Sequence, residues 1–474
     1  MKEAVDKNLE QLKEKFTQLE NVYRNPQSGE SWGTRRIEYD YAGVVEALEE
    51  IQAPLSTTWS IVSHLMGVKN SDELRKVHDE VMPTVIEINQ KMGQSVEVFQ
   101  ALTALKKRQS VWGRLSESQQ RIVDAAIKQM ESAGVGLEPA QREQFNKLQL
   151  EAAELSTKFS NNVLDSTKAF KHRVTDAAEI EGLPDSIKAL AASNAVANGD
   201  ADATAEKGPW VLTLDMPCYL PCMQHLKNRS LREMLYKAYV TRASSGDQDN
   251  APIIKRILQI KKELANMLGY ANHAEKSLSV KMAPSVDAVR ELTSMLREKS
   301  IGPALKELEE VKELAKANGV EDEFQLWDVQ YWSERLREKN YEFEEEMLRV
   351  YFPLEGVLKG LFDLATRLFG VVVQAADGET SVWNKDVRFF HINDQATGEH
   401  IASFFLDPYS RPAEKRGGAW MDVCHGRSKV LNRKPVAYLI CNGSPPVGDT
   451  PSLMTFREVE YVLNRPLLIA MTLF

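Results

Sequence analysis

The sequence predicts a mainly α-helical molecule with a small β-sheet near its C-terminal end. Three observations carry that prediction. Apolar residues recur at helical steps of three and four along the chain, and β-branched and aromatic runs cluster only between residues 387 and 441. The 474 residues also exceed the roughly 250–300 at which a single core stops growing, so two or more subdomains are expected.

The first element places Val5, Leu9, Leu12, Phe16, Leu19 and Tyr23 on one face of an amphipathic helix. Three such heptads fit a helix packed on its own domain better than a coiled-coil seam. Helical spacing returns in Phe145, Leu148, Ala152, Leu155 and Phe159, and in Leu305, Leu308, Val311 and Leu314, where Asn318-Gly319 supplies a C-cap. Between Ser193 and Pro209 the apolar period gives way to Ala, Asn, Asp and Gly, which reads as a linker or surface loop. The sheet is read from Val387–Ile392 and His400–Leu406 as a hairpin around a turn at Asn393–Glu399, with further strands at Gly418–Cys424 and Val436–Cys441. After the Pro/Gly loop Asn442–Pro451, Thr455 and Glu458 form a capping box that starts a helix, which Pro466 ends within about two turns.

Composition narrows the function. There are 59 Lys+Arg against 68 Asp+Glu, a formal charge of −9, and the longest basic run, Lys106-Lys107-Arg108, reads as a solvated helix face. No nucleic-acid partner is expected, because phosphate recognition needs a clustered positive field. No stretch approaches the roughly 18–20 apolar residues that span a bilayer, and no membrane partner is expected. Cys218, Cys222, Cys424 and Cys441 are too few and too scattered for a disulfide framework and read as packing thiols in a reducing compartment.

The inventory of reactive residues is poor. No two of the eight histidines stand at the i, i+4 spacing that presents two imidazoles to one metal ion. His391 and His400 fall on opposite arms of the hairpin, where a polar turn explains them better than a metal site. Phosphate-binding glycine loops and the G-x-S-x-G elbow are absent. Lys415-Arg416-Gly417-Gly418 reads as a tight turn, and Cys424 and His425, as strand neighbours, point to opposite faces and cannot share a proton.

Longer segments are more telling. In chain order, FSNNVLDSTKAF (159–170), LTLDMPCYLPCM (212–223), NRSLREMLYKAYVTRAS (228–244), LANMLGYANHAEKSLSVKMA (264–283), WDVQYWSERLRE (327–338), VWNKDVRFF (382–390), FFLDPYSRPAEKRGGAWMD (404–422) and PVGDTPSLMTFREVE (446–460) resemble the thimet-oligopeptidase family of zinc metallopeptidases, in its oligopeptidase A branch. The resemblance runs from about Glu46 to Glu460.

The resemblance implies a two-lobed peptidase architecture with a channel that admits short peptides, working as a monomer. It divides the chain into an N-terminal helical domain (1–192), the linker (193–209), the N-terminal part of a metallopeptidase catalytic domain (210–460, sheet at 387–441) and an apolar tail outside the family pattern (461–474), so the second lobe is incomplete. In the family the segment after FREVE carries H-E-x-x-H, in which two histidines hold zinc and the glutamate takes a proton from the bound water. Aligned on Glu460, those positions hold Asn464, Arg465 and Leu468, which supply neither metal ligands nor a base. The expectation is therefore no catalytic residue, no metal ligand and no zinc at the family site, with Arg416, Gly417, Gly418, Ala419 and Trp420 lining a substrate cleft. A non-catalytic peptide-binding or subunit-interaction protein is the alternative. The charged N-terminus carries no leader signature, which places the expected location in the cytoplasm, or in a plastid or mitochondrion if the N-terminus is incomplete.

Overall fold

The computed structural model describes residues 2–24, 31–32, 35–36, 39–342, 346–446 and 451–460. Helices α1 (Lys2–Arg24), α2 (Ala47–Val68), α3 (Asp72–Gly93), α4 (Val96–Lys107) and α5 (Glu117–Ser132) build an N-terminal bundle. The α1 stripe is fully used: Val5, Leu9, Leu12, Phe16, Leu19 and Tyr23 are buried in one core with Ile51, Leu55, Val85, Ile88 and Leu102. That face is covered within the chain, which leaves no seam for a coiled coil. Ser71, Ser95 and Ser116 start α3, α4 and α5 by accepting backbone N–H bonds from Leu74, Val98 and Gln119, satisfying donors that helix geometry leaves open.

Helix α6 (Pro139–Ala169) leaves this bundle, and α7 (Asp185–Ala197) opens a second core. Strands β1 (His172–Val174) and β2 (Trp210–Leu212) pair antiparallel beside α7, and α8 (Met216–His225) and α9 (Arg229–Val240) close over them. Ile187, Leu190 and Ala191 of α7 share that core with Trp210, Leu212, Cys218 and Cys222. The loop expected from Ser193 therefore begins only after Ala197. Ala-rich residues sustain the helix and Ala195 is buried, and the excursion that follows returns the chain to the core it left.

Next come α10 (Ala251–Met267), α11 (Val286–Ala317) and α12 (Leu326–Tyr341). Helix α11 ends at Asn318, followed by Gly319 at φ +85°, as its C-cap signal implied. Of its expected stripe Val311 is buried, Leu308 and Leu314 are half-buried, and Leu305 is 55% exposed. Spacing gives the apolar face but not what covers it.

Helix α13 (Leu354–Phe369) leads into a five-stranded sheet: β3 (Val371–Ala375), β4 (Arg388–Asp394), β5 (His400–Tyr409), β6 (Trp420–His425) and β7 (Val436–Gly443). The order is β3-β4-β5-β7-β6, antiparallel except for the parallel pair β5–β7. The hairpin forms with Phe390 opposite Phe404, and β3 joins the four expected strands. One sheet face packs Phe390, Phe404 and Leu439 on Leu358 and Leu361 of α13. The other packs Phe389, Phe405, Tyr438 and Ile440 against Val68 of α2, which ties the N-terminal bundle to the sheet. The capping box is present: Glu458 N–H donates to Thr455 Oγ1 at 3.1 Å and Thr455 N–H to Glu458 Oε2 at 2.7 Å, ahead of helical residues 456–460. Asn464, Arg465, Pro466, Leu468 and the rest of the 461–474 tail lie outside the described residues.

Gly182 fixes the approach of α8. It sits at φ +93°, and a Cβ there would run into the carbonyl oxygen of His225, the last residue of α8. Gly182→Ala is expected to lower stability by about 1–3 kcal/mol, read as a fall in urea midpoint. Gly199→Ala, at φ +105° with open space around it, carries the backbone strain alone and should cost less.

Candidate functional site

A cleft of about 860 Å³ opens outside the carboxyl ends of the parallel strands β5 and β7, the position at which open sheets tend to present ligand sites. Helix α8 supplies one wall with Met216, Leu220, Pro221 and Gln224. The strand ends supply the floor with Leu406, Tyr409, Asn442 and Gly443, and Leu354, Met454 and Phe456 close the far side. The volume lies within the range of small-ligand pockets, and the lining sets apolar residues beside His225, Arg337, Arg349, Asn442 and Glu458. Pro221 has no N–H to offer the Pro217 carbonyl one turn back, and both residues line the cleft. At the rim Arg457 and Glu460 are exposed, while the Glu458 carboxylate is fixed by Ser444 N–H at 3.0 Å and by Thr455.

Behind the floor lies a buried ionic cluster. Asp407 of β5 and Lys415 have fully buried side chains and meet at 2.9 Å. Arg411 grips the same carboxylate with Nη1 at 2.7 Å and Nη2 at 2.8 Å, and Trp383 Nε1 donates to it at 2.8 Å. Lys415 Nζ also donates to the carbonyls of Tyr409 at 2.7 Å and Cys441 at 2.5 Å, so one ammonium staples the ends of β5 and β7 where they reach the cleft. Burial pulls the Lys415 pKa down to about 8, against the raising effect of Asp407, and the ammonium persists at neutral pH. Burial alone would push the Asp407 carboxyl up, but the Arg411 and Lys415 bonds outweigh it and hold it below the ordinary carboxylate value. Beside the cleft, Asp215 precedes α8 and accepts from Thr213 Oγ1; burial raises its pKa.

The five residues expected in the cleft divide. Gly418 and Ala419 line it. Arg416 and Trp420 turn toward the N-terminal bundle: Arg416 N–H donates to Gly67 O at 2.8 Å, its guanidinium lies 4.5 Å from the Trp420 ring centre, and that ring abuts Gly67. Gly417 is exposed between them without lining the cleft. Adjacent residues of an extended chain point opposite ways, so Ala419 and Trp420 cannot share a face. Asn442 Nδ2 donates to the carbonyls of Arg416 and Gly418 and fixes this turn to β7.

His391 and His400 meet across the hairpin, with ring centres 4.6 Å apart. His391 pairs with Ser403 Oγ and Glu379, each at 2.8 Å, and His400 Nε2 lies 2.9 Å from both Ser403 Oγ and Ala402 O. These contacts engage both nitrogens of His391 and Nε2 of His400. Among the described residues no cluster of three or more His, Cys, Asp or Glu is arranged to hold a metal ion, and no described helix is long and apolar enough to cross a membrane. Sequence reasoning missed the α8 wall and the Lys415 staple. The α8 wall reads as ordinary core apolars, and the burial of a lysine leaves no trace in spacing.

Residues 222–463, which include the strands and segments that build most of this cleft, match the sequence model of Peptidase family M3, and residues 5–142 match Neurolysin/Thimet oligopeptidase, N-terminal domain. The chain belongs to peptidase family M3. It is 48% identical over 438 residues to organellar oligopeptidase A, chloroplastic/mitochondrial, of Arabidopsis thaliana (91% of this chain, 55% of the relative). It is 47% identical over 464 residues to a probable cytosolic oligopeptidase A of the same plant (96% and 64%) and 38% identical over 429 residues to oligopeptidase A of Escherichia coli K12 (89% and 62%). The chain thus spans 55–64% of the length of these M3 relatives.

Proposed function

We propose that the chain carries the N-terminal domain and the peptide-binding wall of a zinc-dependent oligopeptidase whose substrates are short peptides. The observation that carries this reading is the cleft at the ends of β5 and β7, most of whose lining residues fall in the M3 match. Its floor is built from the end of β7 at Asn442 and Gly443 and from the turn at Gly418, and backbone groups read a peptide's main chain without regard to its sequence. Strand β6, at the edge of the sheet, pairs only with β7 among the described strands, and α2 lies against it, with Ser60 Oγ donating to the Val423 carbonyl. The apolar walls at Leu220, Leu354 and Phe456 would then take side chains.

Zinc enters through the family resemblance. The described residues form no site that fits it, and no chemical step is derived through the metal. The 474 residues contain no H-E-x-x-H, so in this reading they hold peptides but do not hydrolyse them on their own, as a monomer in the cytosol or in an organelle. The purified chain, supplied with zinc and a quenched fluorescent nonapeptide, is expected to release no more fluorescence than a chelated control. Calorimetry with the same peptide should show saturable binding, weakened at least tenfold by Ala419→Trp, which fills the cleft. Zinc-dependent turnover would overturn the inactivity, and absence of binding heat would overturn the cleft assignment. Binding without turnover is also what the non-catalytic reading requires, so light scattering separates the two: a self-associated chain favours the subunit-interaction role.

A further inference from the structure

The turn that brings Gly418 and Ala419 to the cleft is backed by the N-terminal bundle. Residues 416–420 run between the cleft and the end of α2, with Ala419 lining the cleft and the Trp420 ring against Gly67. The approach is close. A Cβ at Gly67 would stand 3.3 Å from Trp420 Cζ2, inside the roughly 3.5–4.0 Å of optimal carbon contact. Gly67 is the penultimate residue of α2 and is not at positive φ, and a helix favours alanine over glycine. The helix itself therefore gives no reason for a glycine, whereas the Trp420 ring does.

The contact is pinned on both sides. Along α2, Ser60 Oγ donates to Val423 O at 2.9 Å, Gly67 O accepts from Arg416 N–H at 2.8 Å, Asn70 N–H donates to Glu414 O at 2.9 Å and Lys69 pairs with Glu414 at 2.6 Å. The Arg416 guanidinium covers the Trp420 ring, and Asn442 Nδ2 holds the Arg416 and Gly418 carbonyls. Neighbouring residues of an extended chain face opposite ways, so a push that moves Trp420 off α2 moves Ala419 toward the cleft. Close-packed interiors transmit such strain. We propose that Gly67 is a positioning residue for the cleft: its lack of a side chain lets Trp420 seat against α2, and that seating sets how far Ala419 stands into the cleft and so the bulk of the peptide side chain it admits. This inference rests on the peptide-cleft reading.

The test is calorimetry with two nonapeptides that differ only in phenylalanine or glycine at the central position. Gly67→Ala should weaken the phenylalanine peptide about threefold and Gly67→Leu about tenfold, with losses below about twofold for the glycine peptide. Alanine suits the helix, so the urea midpoint of Gly67→Ala should not fall. Trp420→Ala removes the ring that the added side chain meets, and in that background Gly67→Leu should cost less than about twofold. Equal losses for both peptides, or a tenfold loss that survives Trp420→Ala, would overturn the positioning role. Hydrogen exchange reads the same displacement without peptide: amides of residues 416–420 should exchange faster in Gly67→Leu, and unchanged exchange there would also overturn it. A wild-type chain that binds neither peptide, while exchange at 416–420 responds to Gly67→Leu, would sink the peptide-cleft reading and leave the dependence of this turn on Gly67 standing.

Discussion

Asp407→Asn is expected to destabilise the fold by about 3–5 kcal/mol, the cost typical of removing one partner from a buried ion pair. The carboxylate is fully buried and faces Lys415, Arg411 and the Trp383 indole. An asparagine keeps the shape but leaves a fully buried ammonium with carbonyls alone and turns an amide N–H₂ toward two cations. Urea unfolding followed by near-ultraviolet dichroism reads the loss. Adding Lys415→Met should not add a second penalty of that size, because the ammonium stranded by the first change is gone. Full additivity of the two costs would show that the pair does not act as a unit. Peptide affinity should fall with Asp407→Asn as well, since Lys415 holds the Tyr409 and Cys441 carbonyls that set the cleft floor.

Acid is expected to loosen the N-terminal bundle from the sheet before carboxylates titrate. His64 of α2 is 4% exposed, stacked on Tyr438 at 3.6 Å between ring centres and edge-on to Trp383 at 4.4 Å. Burial lowers its pKa to about 4, with Asp407 raising it and Lys415 lowering it by smaller amounts. The unfolded chain, with an ordinary value near 6.5, binds the proton more readily. The stabilisation is therefore complete above about pH 6.5, declines as pH falls toward about 4, and is then spent. Across that window it amounts to about 3 kcal/mol. His400 and His425, whose pKa values are also lowered first by burial, add with the same sign. Unfolding free energies measured from pH 7.5 to 4.5 should drop accordingly, and His64→Phe, which keeps the stacking, should flatten much of the slope. An unchanged slope would remove His64 as its source.

Local signals in the sequence reached the elements and stopped at their surroundings. The α1 stripe, the hairpin around 393–399, the Asn318-Gly319 stop and the Thr455–Glu458 box all follow from spacing and capping, which act within a few residues. The helical residues at 193–197 were hidden because Ala, Asn and Ser suit a loop as readily as a helix end, and burial of Ala195 decided the matter. Leu305 shows the converse: its spacing is right and its side chain is exposed. Of the residues that the resemblance offered as lining a substrate cleft, Gly418 and Ala419 border this cavity. Arg416 and Trp420 belong to the contact with Gly67, a pairing of residues some 350 positions apart that no local pattern encodes.

The most direct test of the peptide-cleft assignment is photo-cross-linking of a benzophenone-bearing nonapeptide to the chain, with the modified residues mapped by mass spectrometry. Saturable labelling at Ala419, Asn442 and Gln224, suppressed by excess unlabelled peptide and by Ala419→Trp, is the predicted result. Labelling spread over the N-terminal bundle, or labelling that excess peptide does not suppress, would contradict the assignment.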